Sequence, residues 1–235
     1  MVDKVYQWLI QHRLNAKVMI DILQSRRFIG VIGKDANLVL GENLPDKAAV
    51  ISDLQSQTYI LNLGRRYLIV GGTAKVGMYL YEAQHKEALT LPQHYWQWLD
   101  VIAGWLSFSE ETTNRYTPLE LNLDLFGAIA FKTACYPGRE AIKQARLSEN
   151  KKRALLYQSN DLTLLPTGTP VYFADQPVGE VIITKLSPKD IRHTLVLVPI
   201  DDKAIDLNQL TTEHGKLGSY LELPHSLDDL RGVKK

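Results

Sequence analysis

The chain has 235 residues, 45% of them hydrophobic and 23% charged, with 27 Lys and Arg balanced by 26 Asp and Glu for a formal charge of +1. This composition fits a folded protein of one or two domains and argues against disorder; a chain of this length buries roughly 70% of its unfolded surface without needing disulfides or a structural metal. The balanced charge excludes a chain given over to binding nucleic acid or a membrane surface, so either contact would need a local patch.

In chain order, Val5, Leu9 and Ile10 share one face of a predicted helix. Lys17 to Ile22 then alternates apolar and polar and predicts a strand, followed by a second strand, Phe28 to Ile32, that stops at Gly33. Thr58 to Leu61 and Tyr67 to Val70 flank a turn segment with Asn62 and Gly64 and predict a hairpin. Gly71-Gly72 releases the chain into a helix through Met78, Tyr81 and Leu89, and Pro92 opens another through Trp96, Leu99 and Ile102 to a stop at Gly104. After the polar run Ser148 to Lys152, short strands take over: Ala154 to Tyr157, Val171 to Phe173, Val181 to Ile183, Thr194 to Val198 and Tyr220 to Leu223. Asp175 to Gly179 reads as a turn and Pro166 to Pro170 as a loop. The expected organisation is therefore an α+β domain over 1–147 and a small β-barrel or sandwich over 148–235.

No apolar run approaches the roughly 20 residues of a membrane span, and no signal-peptide pattern follows Met1, so the cytoplasm is the expected location. Cys135 is the single cysteine, and the six histidines lack metal-motif spacing; no intrinsic metal site is expected. Gly71 to Lys75 lacks the spacing of a phosphate loop.

Gly127 to Leu147 carries the most chemistry and reads as strand, turn and helix. Pro137 and Gly138 suit the central positions of a type II turn, and Tyr136 before proline is biased to an extended conformation. Cys135 then sits just ahead of a helix N-terminus with Arg139 close by, a setting that favours a thiolate. A buried role is equally open, because Ile129, Phe131, Thr133 and Cys135 share one strand parity and free cysteine is often a small core residue. Lys132, of opposite parity, reads as a solvated strand lysine. In the helix, Ala141, Ile142 and Ala145 form an apolar stripe, and Arg139, Lys143 and Arg146 recur on another face. With Lys151, Lys152 and Arg153 this row either receives an anionic ligand tail or is simply solvated. Glu140 suits the positive end of the helix dipole. Trp96 and Trp98 must point in different directions, one inward and the other toward a pocket wall, unless both are core.

Thr117-Pro118, Asn122-Leu123-Asp124 and Phe131 to Glu140 resemble the signature of YgfZ-type folate-binding proteins, relatives of the glycine-cleavage T protein, in which the pattern K-x-G-C-Y-x-G-Q-E recurs. Trp96 to Gly104 resembles the tryptophan-bearing helix ahead of that signature, Asn150 to Leu155 the opening of the C-terminal barrel, and Leu223 to Leu227 the closing segment. Thr133, Ala134 and Arg139 depart from the pattern, standing where the family has a second lysine, a glycine and a glutamine.

The resemblance implies a T protein-like folate-binding domain followed by a C-terminal β-barrel. It also implies a tetrahydrofolate-binding accessory protein for assembly or repair of iron–sulfur enzymes, including those that modify tRNA. Its partners would be client enzymes or assembly factors, with no membrane and no directly bound nucleic acid. Carried over by position, Cys135 would be the functional thiol, Lys132, Tyr136, Gly138 and Glu140 its motif partners, and Trp96 a folate contact; the neighbouring basic face of the helix, with Arg139 and Lys143, would then hold the anionic folate tail. The alternative implied activity is a folate-dependent aminomethyltransferase or other one-carbon transferase. Leu9 to Ile22 resembles a segment well inside the family's first region, so the likeness covers the later part of the family pattern. An absent N-terminal portion is expected to weaken folate binding; a naturally short chain, a shifted start and completion of the channel by a second subunit in a homo-oligomer all remain open.

Overall fold

The computed structural model describes residues 2–41, 44, 50–53, 57–63, 66–106, 109–131, 136–147, 151–202 and 204–223. It divides into two compact units, Met1–Leu91 and Pro92–Lys235.

The first unit opens with α1 (Val2–His12), on which no side chain is buried. The strand expected over Lys17 to Ile22 does not form. An alternating pattern becomes a strand only where a neighbour takes up its amides and carbonyls; here the Arg13 guanidinium donates to Val18 O at 3.2 Å, and Met19 is 95% exposed. The strands that do form are β1 (Arg26–Ile32), β2 (Val50–Asp53), β3 (Thr58–Asn62) and β4 (Arg66–Gly72), joined antiparallel in the order β1-β4-β3-β2. A short α2 (Asn37–Leu40) lies between the first two in sequence. The expected hairpin is β3–β4, and its register aligns Ile60 with Ile69, which is in turn opposite Ile29. Ile60, Ile69 and Val76 form the buried centre, Val76 being supplied by α3 (Thr73–His85). This helix starts directly after Gly72 but stops short of Leu89, because Glu87 takes a left-handed φ of +56° and Leu89 is left 87% exposed.

In the second unit, α4 (Gln93–Ile102) is opened by Pro92 and closed by Gly104, whose φ of +72° ends the helix where the sequence predicts. After α5 (Arg139–Leu147) come β5 (Lys152–Ser159), β6 (Pro170–Phe173), β7 (Gln176–Leu186), β8 (Arg192–Pro199), β9 (Thr211–Thr212), β10 (Gly215–Lys216) and β11 (Ser219–Leu221). They form one curled antiparallel sheet in the order β10-β9-β6-β7-β8-β5-β11. The turn between β6 and β7 is Ala174-Asp175, both with positive φ, so the strand resumes at Gln176, earlier than the sequence suggests. Gly179 is required by close approach: a Cβ there would lie 2.0 Å from Leu197 O on β8.

The central strands are buried on both faces. Leu155, Tyr157, Val181, Val196 and Val198 face one core, whereas Ala154, Leu156, Ile182, Leu195 and Leu197 face the other, and a register shift between Val181 and Ile183 lets Ile183 pack against the second core beside Ile182. Val101 of α4, with Leu106 and Leu121, completes that second core. This shared core joins α4 to the strands within the compact unit Pro92–Lys235. Among the described residues, no helix is long and apolar enough to cross a membrane.

A hydrogen bond also fastens α4 to the sheet. Trp98 Nε1–H lies 3.2 Å from His193 Nδ1 and donates to it in the tautomer that leaves that nitrogen unprotonated, Ile191 O lies 3.2 Å from the same nitrogen, and burial pushes the imidazole below its ordinary pKa although the Ile191 contact opposes this. The unfolded chain therefore binds a proton more readily than the folded one. The stability due to His193 is present above pH 6.5 and is lost as pH falls through the lower folded value. In His193→Gln, which can still accept the indole N–H, the fall in denaturant-unfolding stability between pH 7 and pH 5 should be shallower than in the wild type; parallel pH profiles would contradict this.

Candidate functional site

The turn that enters α5 forms as the sequence predicts. Arg139 N–H donates to Tyr136 O at 3.2 Å across Pro137-Gly138, and Gly138 has the positive φ, +85°, that a type II turn demands at its third position. This turn brings Tyr136, Gly138, Arg139, Glu140 and Lys143 together. Glu140 and Lys143 stand 3.5 Å apart along the first turn of the helix. Lys132 and Cys135 lie outside the described residues, as do Thr133 and Ala134.

Two expectations for this segment are corrected. No strand forms over 128–131, although Ile129 and Phe131 are half-buried and Ala128 and Ala130 exposed. The stripe Ala141, Ile142 and Ala145 is not a buried face either: only Ile142 is partly covered, and Leu147 is 83% exposed. Two alanines and one isoleucine offer too little apolar area to hold a charged helix against a core.

The basic row is largely engaged. Arg139 Nη2 donates to Phe131 O at 3.1 Å, and the Arg146 guanidinium lies 4.5 Å from the centre of the Phe131 ring. Arg139 Nε and Tyr136 Oη are buried without a hydrogen-bond partner among the described residues. Lys143 keeps 42% of its side chain exposed. Arg153 does not join a solvated cationic patch with Lys151 and Lys152. It turns inward, its two Nη atoms bonded to the two carboxylate oxygens of Asp124 at 2.7 and 3.0 Å, and it also donates to Leu119 O.

This pair belongs to a lock that the sequence motifs only hinted at. Thr117 and Glu120 bond reciprocally, Thr117 N–H to Glu120 Oε2 at 2.7 Å and Glu120 N–H to Thr117 Oγ1 at 3.3 Å, in the manner of a capping box. Asn122, fully buried with φ +59°, donates from Nδ2 to Ala154 O, while Ala154 N–H donates to Glu120 O at 2.8 Å. Thr117, Asn122 and Asp124 thus tie the segment ahead of α5 to the first rungs of β5. An arginine at the start of an otherwise apolar strand was the available signal.

Trp96 and Trp98 diverge: Trp98 packs inward on His193, and Trp96 is half-buried on the same helix. A cavity of about 330 Å³ within the second unit is lined by Asp100 and Trp105, by Thr112 and Thr184, and by Glu111 and Lys185, but not by Trp96. Nearby, the Arg115 guanidinium, 3.1 Å from Glu180 through Nε, holds the Glu180 carboxyl below its ordinary pKa, while burial and then Glu180 push the Tyr116 hydroxyl up to about 12. No group of three or more metal-binding side chains occurs among the described residues.

No family model matches the chain. A protein of Colwellia psychrerythraea described as tRNA-modifying protein YgfZ is 29% identical over 155 residues, covering 63% of this chain and 46% of that protein. Another of the same description from Hamiltonella defensa is 26% identical over 195 residues, covering 81% and 55%. The chain therefore spans about half the length of the curated relatives it matches. Among solved structures, the glycine cleavage system aminomethyltransferase T of Bartonella henselae superposes with a TM-score of 0.71 over 92% of this chain and 64% of that one, at 14% identity. The architecture is thus that of the aminomethyltransferase T fold. Within that fold, the chain is similar in sequence to proteins described as YgfZ.

The lock gives a stability prediction. Asp124→Ala leaves the Arg153 guanidinium buried and unpaired and should cost about 3 kcal/mol or more in urea unfolding, whereas Asp124→Leu with Arg153→Met should recover much of that loss. A single-variant cost below about 1 kcal/mol would show that the pair is not desolvated as described.

Proposed function

We propose that the protein is a reduced-folate-linked accessory factor for iron–sulfur enzymes, including those that modify tRNA, with Cys135 as its functional thiol. The observation that carries this reading is the folded half of the signature, in which Tyr136 to Glu140 forms the type II turn and first helical residues directly after the cysteine. The amides and dipole at the start of α5 favour an anion there, which supports thiolate character in the residue that precedes Tyr136. The printed description of the two relatives supports the link to tRNA modification, and the T-protein fold supports the link to folate.

The polar groups present are compatible with a reduced folate. Lys143 is the member of the α5 basic row that, among the described residues, pairs with Glu140 along the helix and keeps 42% of its side chain exposed, which supports a contact with a glutamyl carboxylate. Trp96 offers a flat ring to the heterocycle. When bound, tetrahydrofolate supplies nitrogens that carry one-carbon units; the chain's own part is to orient it and present the thiol. Client enzymes or assembly factors would be the protein partners.

The fold neighbour favours one further reading, a one-carbon transferase. Measurable transfer of a one-carbon unit to tetrahydrofolate by the purified protein would establish it.

The accessory reading predicts that Cys135→Ala abolishes complementation of an iron–sulfur enzyme defect in cells lacking their own YgfZ-type protein while leaving the unfolding midpoint unchanged; full complementation would overturn the role of the thiol. It also predicts that tetrahydrofolate quenches tryptophan fluorescence in the wild type and much less in Trp96→Phe. An unchanged spectrum at saturating ligand would remove the folate component.

A further inference from the structure

We propose that the cavity of about 330 Å³ between α4 and β7 binds a small zwitterion, an aliphatic α-amino acid, held between Glu111 and Lys185. This goes beyond the folate-linked reading and does not depend on it, since neither Trp96 nor the turn into α5 lines this cavity. Its volume lies at the small end of the roughly 300–1,000 Å³ typical of ligand sites, which suits a molecule of amino-acid size.

The polar groups on the wall divide into those already engaged and those that are not. Thr112 Oγ1 accepts from Ser109 N–H at 2.9 Å, Thr167 Oγ1 donates to Ile182 O at 2.9 Å, and the Thr184 and Thr194 hydroxyls share a hydrogen bond at 3.2 Å. Asp100 is buried and partnered. Glu111 and Lys185, by contrast, form no ion pair or side-chain hydrogen bond among the described residues, with each other or with any other group. Two opposite charges on one cavity wall that do not neutralise each other leave an ammonium site and a carboxylate site, and a ligand carrying both charges satisfies them together. Between them the wall is apolar: Val101, Leu165 and Ile183 supply aliphatic surface and Trp105 a ring that is 43% exposed. Among the described residues of the second unit, Trp105 is the one exposed Trp, Tyr or Phe, and Phe126 holds it edge-on at 5.2 Å between ring centres. An aromatic ring left open on a cavity wall beside a few charged groups is the usual make-up of a small-ligand site.

The test is titration of the full-length protein with L-leucine, read by tryptophan fluorescence and by the thermal unfolding midpoint. Two analogues are titrated alongside, 3-methylbutylamine and 4-methylpentanoate, which keep the leucine side chain but carry only the ammonium or only the carboxylate. L-Leucine should change the fluorescence saturably and raise the midpoint, and each single-charge analogue should bind about tenfold more weakly, as expected for the loss of one charge-assisted contact. Glu111→Gln and Lys185→Met should each weaken L-leucine binding about tenfold while leaving the midpoint of the unliganded protein unchanged. Trp105→Phe should remove most of the fluorescence change while the midpoint shift persists. The site would be overturned by the absence of any saturable change with L-leucine, by an analogue that binds as tightly as L-leucine, or by undiminished binding to both charge variants.

Discussion

The second unit depends on a charge taken out of water. Arg153 enters the chain near the start of β5, where the next four residues, Ala154 to Tyr157, alternate between two cores, and its side chain is itself buried. Asp124 resolves the conflict with two parallel hydrogen bonds, and Leu119 O accepts a further one. The pair is weak evidence for net stability, because desolvating two ions costs about as much as their attraction returns. Its value is in register. The placement of residues 119–124 satisfies Arg153, Asn122 Nδ2 and Ala154 N–H together.

From that anchor the geometry passes to the site through a short series of local decisions. The chain reaches Phe131 without pairing into a sheet, is gripped there by two arginines of the next helix, and re-enters described structure at a turn whose type is dictated by Pro137 and Gly138. The apolar effect contributes little here, since α5 buries no side chain. Directional polar contacts do the positioning, as expected where a small, charged segment must be held in place and no large hydrophobic area is available. Elsewhere in the same unit, α4 is held in a different manner, by Val101 in a core and by an indole–imidazole contact.

How far the sequence announced this varies with the range of the interaction. Pro92 and Gly104 bounded α4, and Pro137-Gly138 gave the turn, because both signals act through the backbone of the residue itself. The β3–β4 hairpin was legible from two alternating runs close in sequence. Lys17 to Ile22 carried the same alternation and failed, since no strand pairs with it among the described residues and no local pattern reports that. The packing of α4 on the strands was hidden for a related reason: Val101 shares its core with Leu156, Ile182 and Leu195, residues more than fifty positions away. At the site, the charged row of α5 was visible, but its engagement with Phe131 was not, because a periodic basic face looks the same whether it is solvated, ligand-bound or turned back on its own chain. Arg153 was read with two neighbouring lysines as surface charge, and only the inward parity of its strand distinguishes it.

The most direct test of the central claim, a thiol presented at the start of α5 beside a folate-binding surface, is a crystal structure of the protein soaked with tetrahydrofolate. The account predicts ordered ligand with its glutamyl carboxylate within ion-pair distance of Lys143 and the Cys135 sulfur open to the same space. Ligand density absent at full soak, with that sulfur enclosed among aliphatic side chains, would contradict it.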